Sequence, residues 1–311
     1  MSACKQWSGN PYGRILLRQQ GITLVELMIA GALGLLIILA TISLLLVSRQ
    51  TYVTLDEQIA VQETGHYALA ILARSLRQAS WSEWEAAPTG AGTISFGVRG
   101  LDNKSLRMAS EDIEIPIAAV SHGSDVLALR FGGAADGSIV NCAGFAVSKA
   151  EEAVQGWSIF FVGGEKNAEP ELRCKYRGKS SWRTEGIARG IESFQVLYGI
   201  DTTADGLPNQ FLNATRIEQL NADIDDDDED LSYWNKVVAI KIAMLVRSSR
   251  TLDEAGPPPP YHLFGETYSQ LYGSSDKGTL VRETDITSAV RSRLRKVVVI
   301  TVPLRNAVNR G

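Results

Sequence analysis

The sequence contains few of the residues from which catalytic and metal centres are usually built. Its 311 residues include three histidines and three cysteines, and His66, His122 and His262 lie far apart in the chain. The H-E-x-x-H, G-x-S-x-G and P-loop lysine patterns are all absent. A net charge of −4 without a basic excess gives no reason to expect nucleic-acid binding. The composition therefore indicates a protein that is neither an enzyme nor a nucleic-acid binder.

Proline is absent between Pro11 and Pro88, so nothing in this interval forces a helix to break. The interval opens with an apolar run, Ile22–Val47, that contains one ionisable side chain. As a helix this run would reach about 39 Å, more than the roughly 30 Å hydrocarbon core of a bilayer. We therefore predict a transmembrane or filament-core helix over residues 22–50.

Beyond this run the chain becomes polar but keeps a helical spacing of apolar residues. The pattern predicts an amphipathic helix over residues 51–81 that packs on a globular head. The apolar stripe that would make this contact consists of Leu55, Ile59, Leu69, Leu72 and Leu76.

A basic leader precedes the apolar run. Residues 1–21 contain Lys5, Arg14 and Arg18 but no acidic residue. The positive-inside rule keeps such a leader in the cytoplasm, so the rest of the chain is expected outside the inner membrane. A plain signal anchor fits this pattern, whereas a cleaved secretory signal fits poorly because its apolar core would be shorter.

The one ionisable group in the apolar run is Glu26. A carboxylate inside an apolar span is costly and indicates a function. Cleavage after Gly21 would place a new amine at Ile22, and opposite charges about 4 Å apart gain about 4 kcal/mol at an effective dielectric constant of 20. The amine could belong to the same chain or to a neighbour, and a neighbour's amine would set the register between packed helices.

The segment GITLVEL, residues 21–27, resembles the class III signal of type IV prepilins. The resemblance implies that a prepilin peptidase cuts after Gly21 and methylates the new N-terminus at Ile22. It also implies that Glu26 guides subunit assembly.

Beyond Pro88 the pattern changes to short β-rich runs separated by loops that contain glycine. We predict one α+β domain over residues 88–311, in which the long helix packs on an antiparallel sheet with Val237–Val246 as a central strand. The predicted strands are Thr93–Val98, Val126–Phe131, Trp157–Val162, Leu172–Tyr176, Ile191–Ile200, Val237–Val246 and Val297–Leu304.

Four head segments, residues 123–130, 190–199, 234–248 and 302–306, resemble the PilW family of minor pilins. The resemblance implies a periplasmic head on an inner-membrane helix and later export to the pilus and cell surface. It implies partnership with other minor pilins and the major pilin in a complex that primes pilus assembly or caps the tip, and so a role in twitching motility and cell adhesion. A type II secretion pseudopilin and a permanently anchored periplasmic binding or adhesive protein are the alternatives.

Two cysteines lie in the head, Cys142 and Cys174, while Cys4 lies in the leader. A pair in an exported domain favours a disulfide, whereas a pair in a cytosolic domain favours two free thiols. Because the head is expected outside the cytoplasm, we predict a disulfide between Cys142 and Cys174.

Two acidic segments are the metal candidates. Residues 223–230 hold seven acids in eight positions, which is typical of a solvated loop but also offers clustered oxygens for calcium. The stretch DTTADG resembles a calcium loop with Asp201 and Asp205 as ligands, although Thr203 stands where an acid is usual. No other cofactor is expected.

Three arginines, Arg291, Arg293 and Arg295, alternate before the last predicted strand. Their spacing predicts one exposed face, and a phosphate- or DNA-binding patch is the alternative.

Overall fold

The computed structural model is an α+β protein, as predicted. The chain divides into two units, Met1–Val53 and Thr54–Gly311. The leader before Gly21 and the acidic run after Asp223 lie outside the described residues. Those residues are 21–81, 97–108, 110–111, 113–148, 156–164, 168–178, 181–223, 232–251 and 259–305.

Helix α1, Leu24–Gln78, begins in the first unit, where its apolar side chains are exposed all around. Among the described residues it is the one helix long and apolar enough to cross a membrane. Two of its hydroxyls bond within the helix, since Thr41 Oγ1 donates to the carbonyl of Ile37 (3.0 Å) and Ser43 Oγ to that of Leu39 (2.9 Å). This half of α1 is therefore a candidate membrane anchor.

The part of α1 in the second unit packs on the head through a narrower face than predicted. Leu69, Leu72 and Leu76 are buried, which confirms that part of the stripe. The prediction is wrong for Leu55 and Ile59, which are 51% and 57% exposed. Residues three and four apart share a helix face, and the buried set at that spacing is instead Glu57, Val61, Gly65, Ala68, Leu69, Leu72, Ala73, Ser75 and Leu76.

The head contains two antiparallel sheets, where the sequence predicted one. A five-stranded sheet has the order β1-β4-β5-β6-β7, and a four-stranded sheet has the order β13-β10-β8-β9. Two further pairs are β2-β3 and β11-β12. The strands are β1 (Val98–Leu101), β2 (Lys104–Ser105), β3 (Ile117–Ala118), β4 (Val126–Phe131), β5 (Gly156–Gly163), β6 (Glu171–Arg177), β7 (Trp182–Arg189), β8 (Ile191–Ile200), β9 (Gln210–Leu212), β10 (Val237–Thr251), β11 (Tyr261–His262), β12 (Leu280–Val281) and β13 (Arg293–Pro303).

Short helices complete the head. Helix α2 is Ala214–Asn221 and helix α3 is Glu266–Tyr272. Asn213 caps α2 by accepting the N–H of Arg216, and the carboxylate of Asp102 accepts the N–H groups of Ala214 and Thr215. Single 3-10 turns are Tyr233–Lys236, Glu283–Asp285 and Ser288–Val290.

One hydrophobic core joins the second half of α1 to both sheets. Leu72 of α1 shares it with Phe160 of the five-stranded sheet and Phe194 of the four-stranded sheet. Strand β10 pairs with β13 on one side and β8 on the other, so the predicted central strand is confirmed. All ten residues of β8 are buried, which explains why its run alternates only in part.

Candidate functional site

Helix α1 begins with a reciprocal cap that includes Glu26. Thr23 Oγ1 accepts the backbone N–H of Glu26 (3.3 Å), and Glu26 Oε2 accepts the backbone N–H of Thr23 (2.9 Å) and its hydroxyl (3.0 Å). This is the capping box of a threonine followed three residues later by glutamate. This capping box was not predicted, although the spacing of Thr23 and Glu26 was a sufficient signal.

The cap gives the carboxylate a local role before any partner is present. It satisfies N–H groups that would otherwise lack partners at the start of the helix. A negative charge there is also favoured by the helix dipole. Ile22 precedes Thr23 directly and is exposed, so an amine at Ile22 would lie next to the capped turn.

A second glutamate, Glu57, attaches α1 to the head. Its side chain is buried, and its carboxylate accepts the N–H of Arg250 (3.3 Å) and the hydroxyl of Ser249 (3.4 Å) at the end of β10. Arg250 Nε lies 3.5 Å from the same carboxylate. Glu57 is thus a buried polar contact at the start of the face that α1 presents to the head.

Five charged side chains form a network of ion pairs across the head beside α1. Glu192 on β8 pairs with Arg295 on β13 (2.6 Å) and with Arg247 on β10 (2.7 Å). Glu169, just before β6, pairs with Arg247 (2.7 Å) and Arg293 (2.9 Å). Burial raises the pKa of Glu169, but hydrogen bonds from the two arginines outweigh it and leave that pKa below its usual value. The network joins strands β8, β10 and β13 of the four-stranded sheet to the loop that leads into β6 of the five-stranded sheet.

The predicted exposed face of alternating arginines is wrong for Arg293 and Arg295. The Arg295 side chain is 0% exposed and that of Glu192 is 1% exposed. Arg295 also donates to the carbonyls of Val290 (2.7 Å) and Arg293 (2.9 Å). Buried charges of this kind need a counter-charge, and the sequence does not reveal that β8 supplies one. Arg291 is the most exposed of the three, with 42% of its side chain exposed beside Glu283.

The predicted disulfide between Cys142 and Cys174 is present. It ties the turn Val140–Ala146 to strand β6, and the two Cα atoms are 6.0 Å apart. The sequence separation of 32 between the cysteines places the expected stabilisation at about 3–4 kcal/mol in the chain-entropy treatment.

The calcium candidate Asp201 organises its own loop. Its carboxylate accepts the backbone N–H groups of Ala204 (2.7 Å), Gly206 (2.7 Å) and Thr203 (3.0 Å). Burial raises the pKa of Asp201, but these hydrogen bonds outweigh it and lower that pKa. Asp205 accepts the N–H of Leu207 (2.9 Å). Both carboxylates therefore accept hydrogen bonds from backbone N–H groups of their own loop.

The part of the chain that the structure describes holds no group of three or more His, Cys, Asp or Glu side chains arranged to bind a metal ion. The acidic run after Asp223 lies outside that part, and so does any calcium site it would form. The geometry instead supports structural roles: a capped apolar helix, a head fastened to α1, and a disulfide.

Comparison with known proteins gives one family. Residues 159–306 match the family described as Type IV Pilus-assembly protein W (PilW), which confirms the resemblance over just under half of the chain. A similar solved structure is the type IV-like pilin TTHA1219 from Thermus thermophilus, which is 14% identical and covers 82% of this chain and 98% of its own, with a TM-score of 0.37. Comparison with curated proteins gives no match.

Proposed function

We propose, from the match of residues 159–306 to the type IV pilus-assembly protein W family, that this chain is a minor pilin that assembles by helix packing. The observation that carries the proposal is the occurrence, in one chain, of a prepilin-type segment, an exposed apolar helix and a PilW-like head. The family match favours a type IV pilus over a type II secretion pseudopilus. Its mechanism is assembly, without catalysis on a substrate.

In this proposal the protein is made as a prepilin with a leader of residues 1–21. A prepilin peptidase cuts after Gly21 and methylates Ile22. The apolar half of α1 then holds the subunit in the inner membrane with its head in the periplasm. Extraction into a fibre or tip complex replaces lipid contacts with contacts to other minor pilins and the major pilin. The apolar side chains of this half are exposed, so they can pack against lipid or against other helices.

Glu26 has two roles in this proposal. In the free subunit its carboxylate caps α1 through Thr23. In the assembly the same carboxylate pairs with the Ile22 amine of a neighbour and sets axial register. The cap matters to this step because it holds the carboxylate at the first turn of the helix, beside the position of the new amine.

Two substitutions at one position separate these roles. Glutamine can occupy the third position of a capping box, so Glu26→Gln keeps the cap and removes the charge, whereas Glu26→Ala removes both. We expect both variants to insert into the membrane and to be excluded from pili to the same extent, because register depends on the charge. The measurement is the amount of each variant in sheared pili relative to that in membranes, from immunoblots.

Thr23→Ala provides the matched control, since it weakens the cap and keeps the charge. We expect it to enter pili more efficiently than Glu26→Gln. Normal pilus incorporation of Glu26→Gln would show that capping alone explains Glu26 and would remove the register role. Normal incorporation of both Glu26 variants would remove any assembly role for this carboxylate.

The position of the subunit in the pilus can be tested separately. Immunogold labelling of the head at one end of isolated pili supports a tip position. Pilus loss in the deletion strain, with no label on the pili of the complemented strain, supports a priming role alone.

A further inference from the structure

The last strand of the five-stranded sheet has one unpaired edge. Strand β7 pairs with β6 alone, and the register is regular from Trp182 to Gly186 before it shifts near Ile187. Within the described chain, no residue outside β6 hydrogen-bonds to the backbone of Trp182–Gly186. Arg183, Glu185 and Gly186 are exposed. An edge of this kind presents N–H and C=O groups to which another extended chain can add as a strand.

A cleft of about 550 Å³ opens beside the start of this edge. Its aromatic wall consists of Phe145 and Tyr176, whose rings are 5.5 Å apart, and Phe145 is 54% exposed. Arg177 and Arg183 contribute the charged part of the lining, and Ser181 at the β6–β7 turn adds a hydroxyl.

The exposed aromatic ring is held in place by its turn. Asn141 Oδ1 accepts the N–H groups of Ala143 and Phe145, both at 3.0 Å. Gly144 has a φ of +87°, a conformation that glycine adopts at low cost. The disulfide fixes Cys142 in the same turn to β6. Phe145 is therefore exposed on a rigid support, as residues that make contacts with a partner often are.

The charge of the cleft indicates what it would bind. Arg177 and Arg183 are exposed, and no carboxylate of the described residues lies within ion-pair distance of either. The carboxylate on the strand itself, Glu185, accepts the hydroxyl of Tyr176 (2.8 Å). Arginine binds carboxylates with two parallel hydrogen bonds and also stacks on aromatic rings.

We propose that the β7 edge and this cleft bind an extended acidic segment of a partner polypeptide. The segment adds as a strand beside Trp182–Gly186. Its carboxylates contact Arg177 and Arg183, and an apolar side chain packs on Phe145. The inference does not depend on assembly into a pilus, so failure of either proposal leaves the other open to its own test.

The test uses the full chain in detergent micelles and a fluorescein-labelled nine-residue peptide that alternates glutamate with valine. Fluorescence anisotropy measures binding. We expect binding that weakens with salt, and a loss of about tenfold for each of Arg177→Glu and Arg183→Glu, as expected for hydrogen bonds between charged groups. Phe145→Ser should also weaken binding. The matched control is Arg216→Glu, an exposed charge reversal on α2 that should leave affinity unchanged.

Two further peptides make the test specific. A peptide that alternates lysine with valine should not bind. The glutamate peptide with alternate backbone nitrogens methylated should bind at least about tenfold more weakly, since it cannot complete a strand ladder. Equal binding of the methylated peptide would overturn strand addition. Absence of binding by the glutamate peptide, or equal affinity of the Arg177→Glu and Arg183→Glu variants and the control, would overturn the proposal as a whole.

Discussion

At the scale of single residues, three carboxylates make structural contacts within the protein. Glu26 caps a helix, Glu57 fastens α1 to β10, and Glu192 neutralises Arg247 and Arg295. Each carboxylate accepts hydrogen bonds from donors that the fold brings to it. The sequence showed Glu26 because it interrupts an apolar run. It could not show Glu57, whose partner Arg250 lies about 190 residues away, or Glu192, whose partners Arg247 and Arg295 lie about 55 and 100 residues away.

Loss of the charge on Glu192 should strongly destabilise the head. Glu192→Gln would leave Arg295 buried without a counter-charge and Arg247 with Glu169 alone, and breaking a buried pair in this way costs about 3–5 kcal/mol. The thermal midpoint of the protein in detergent, followed by circular dichroism, measures the effect. Glu283→Gln is the control, because its pair with Arg291 is more than 40% exposed on both sides and contributes about 1 kcal/mol or less. Equal midpoints for the two variants would contradict a structural role for the network.

Asp125 should make the folded state more stable in mild acid than at neutral pH. Its carboxylate accepts the N–H groups of Asn103 and Val196, but burial, with a further contribution from nearby Asp102, raises its pKa well above 3.8. The folded state therefore holds this proton at pH values where the unfolded chain has lost it. The stabilisation is complete below the unfolded pKa and disappears as the pH rises through the folded pKa.

The measurement is the free energy of unfolding of the full chain in detergent between pH 4.5 and pH 7.5. Asp125→Asn should reduce the loss of stability as the pH rises over this range. The control is Asp136→Asn, since hydrogen bonds from Ser138 lower the pKa of Asp136 and its titration lies below the range. An unchanged pH dependence in Asp125→Asn would show that Asp125 is not the group responsible.

At the scale of elements, helix α1 has two apolar faces within the second unit. One face, around Leu72, is buried in the head, while Leu55 and Ile59 lie on an exposed face. The spacing of apolar residues identified the helix but not which of these faces packs. The buried face contains small residues as well as large ones. Gly65 and Ala68 allow the sheet to pack closely against the helix at this face.

Gly65 should tolerate no large side chain. A Cβ atom added to Gly65 would lie 3.0 Å from Val298 Cγ1 and 3.3 Å from Val298 Cγ2 on β13. Gly65→Leu should therefore force α1 and β13 apart at a cost of about 1–3 kcal/mol, measured as a lower thermal midpoint. Ala70→Leu, an exposed position on the same helix, is the control and should change stability by about 0.5 kcal/mol or less. Equal effects of the two substitutions would show that the contact with Val298 is not tight.

The strands differ in how far the sequence predicts them. β4 and β8 have the predicted bounds because apolar and aromatic residues make up most of β4 and more than half of β8. β7 was missed because three charged side chains and a glycine hide its pattern. Those are the residues of an edge strand that lacks a second neighbour. β7, which was not predicted from the sequence, therefore presents an unpaired edge.

At the scale of the whole molecule, the protein presents two kinds of surface for other molecules. The first half of α1 is apolar, without a charged side chain beyond Glu26 until Arg49, and suits lipid or other apolar helices. The head has a buried core, and a strand edge and a cleft with arginines lie on its surface. Charge and hydropathy along the chain predicted this division. The arrangement of the head into two sheets could not be predicted, because strand pairing depends on contacts far apart in sequence.

We propose above all that the chain is processed as a prepilin, and mass spectrometry of its N-terminal peptide tests this claim. The protein should be purified from cells that make a prepilin peptidase, and a strain that lacks the peptidase serves as the control. We expect a peptide that begins at N-methylated Ile22 in the first strain and the intact leader in the second. An intact leader in both strains, or a cut at another position, would contradict the claim, because the amine proposed to pair with Glu26 would not exist.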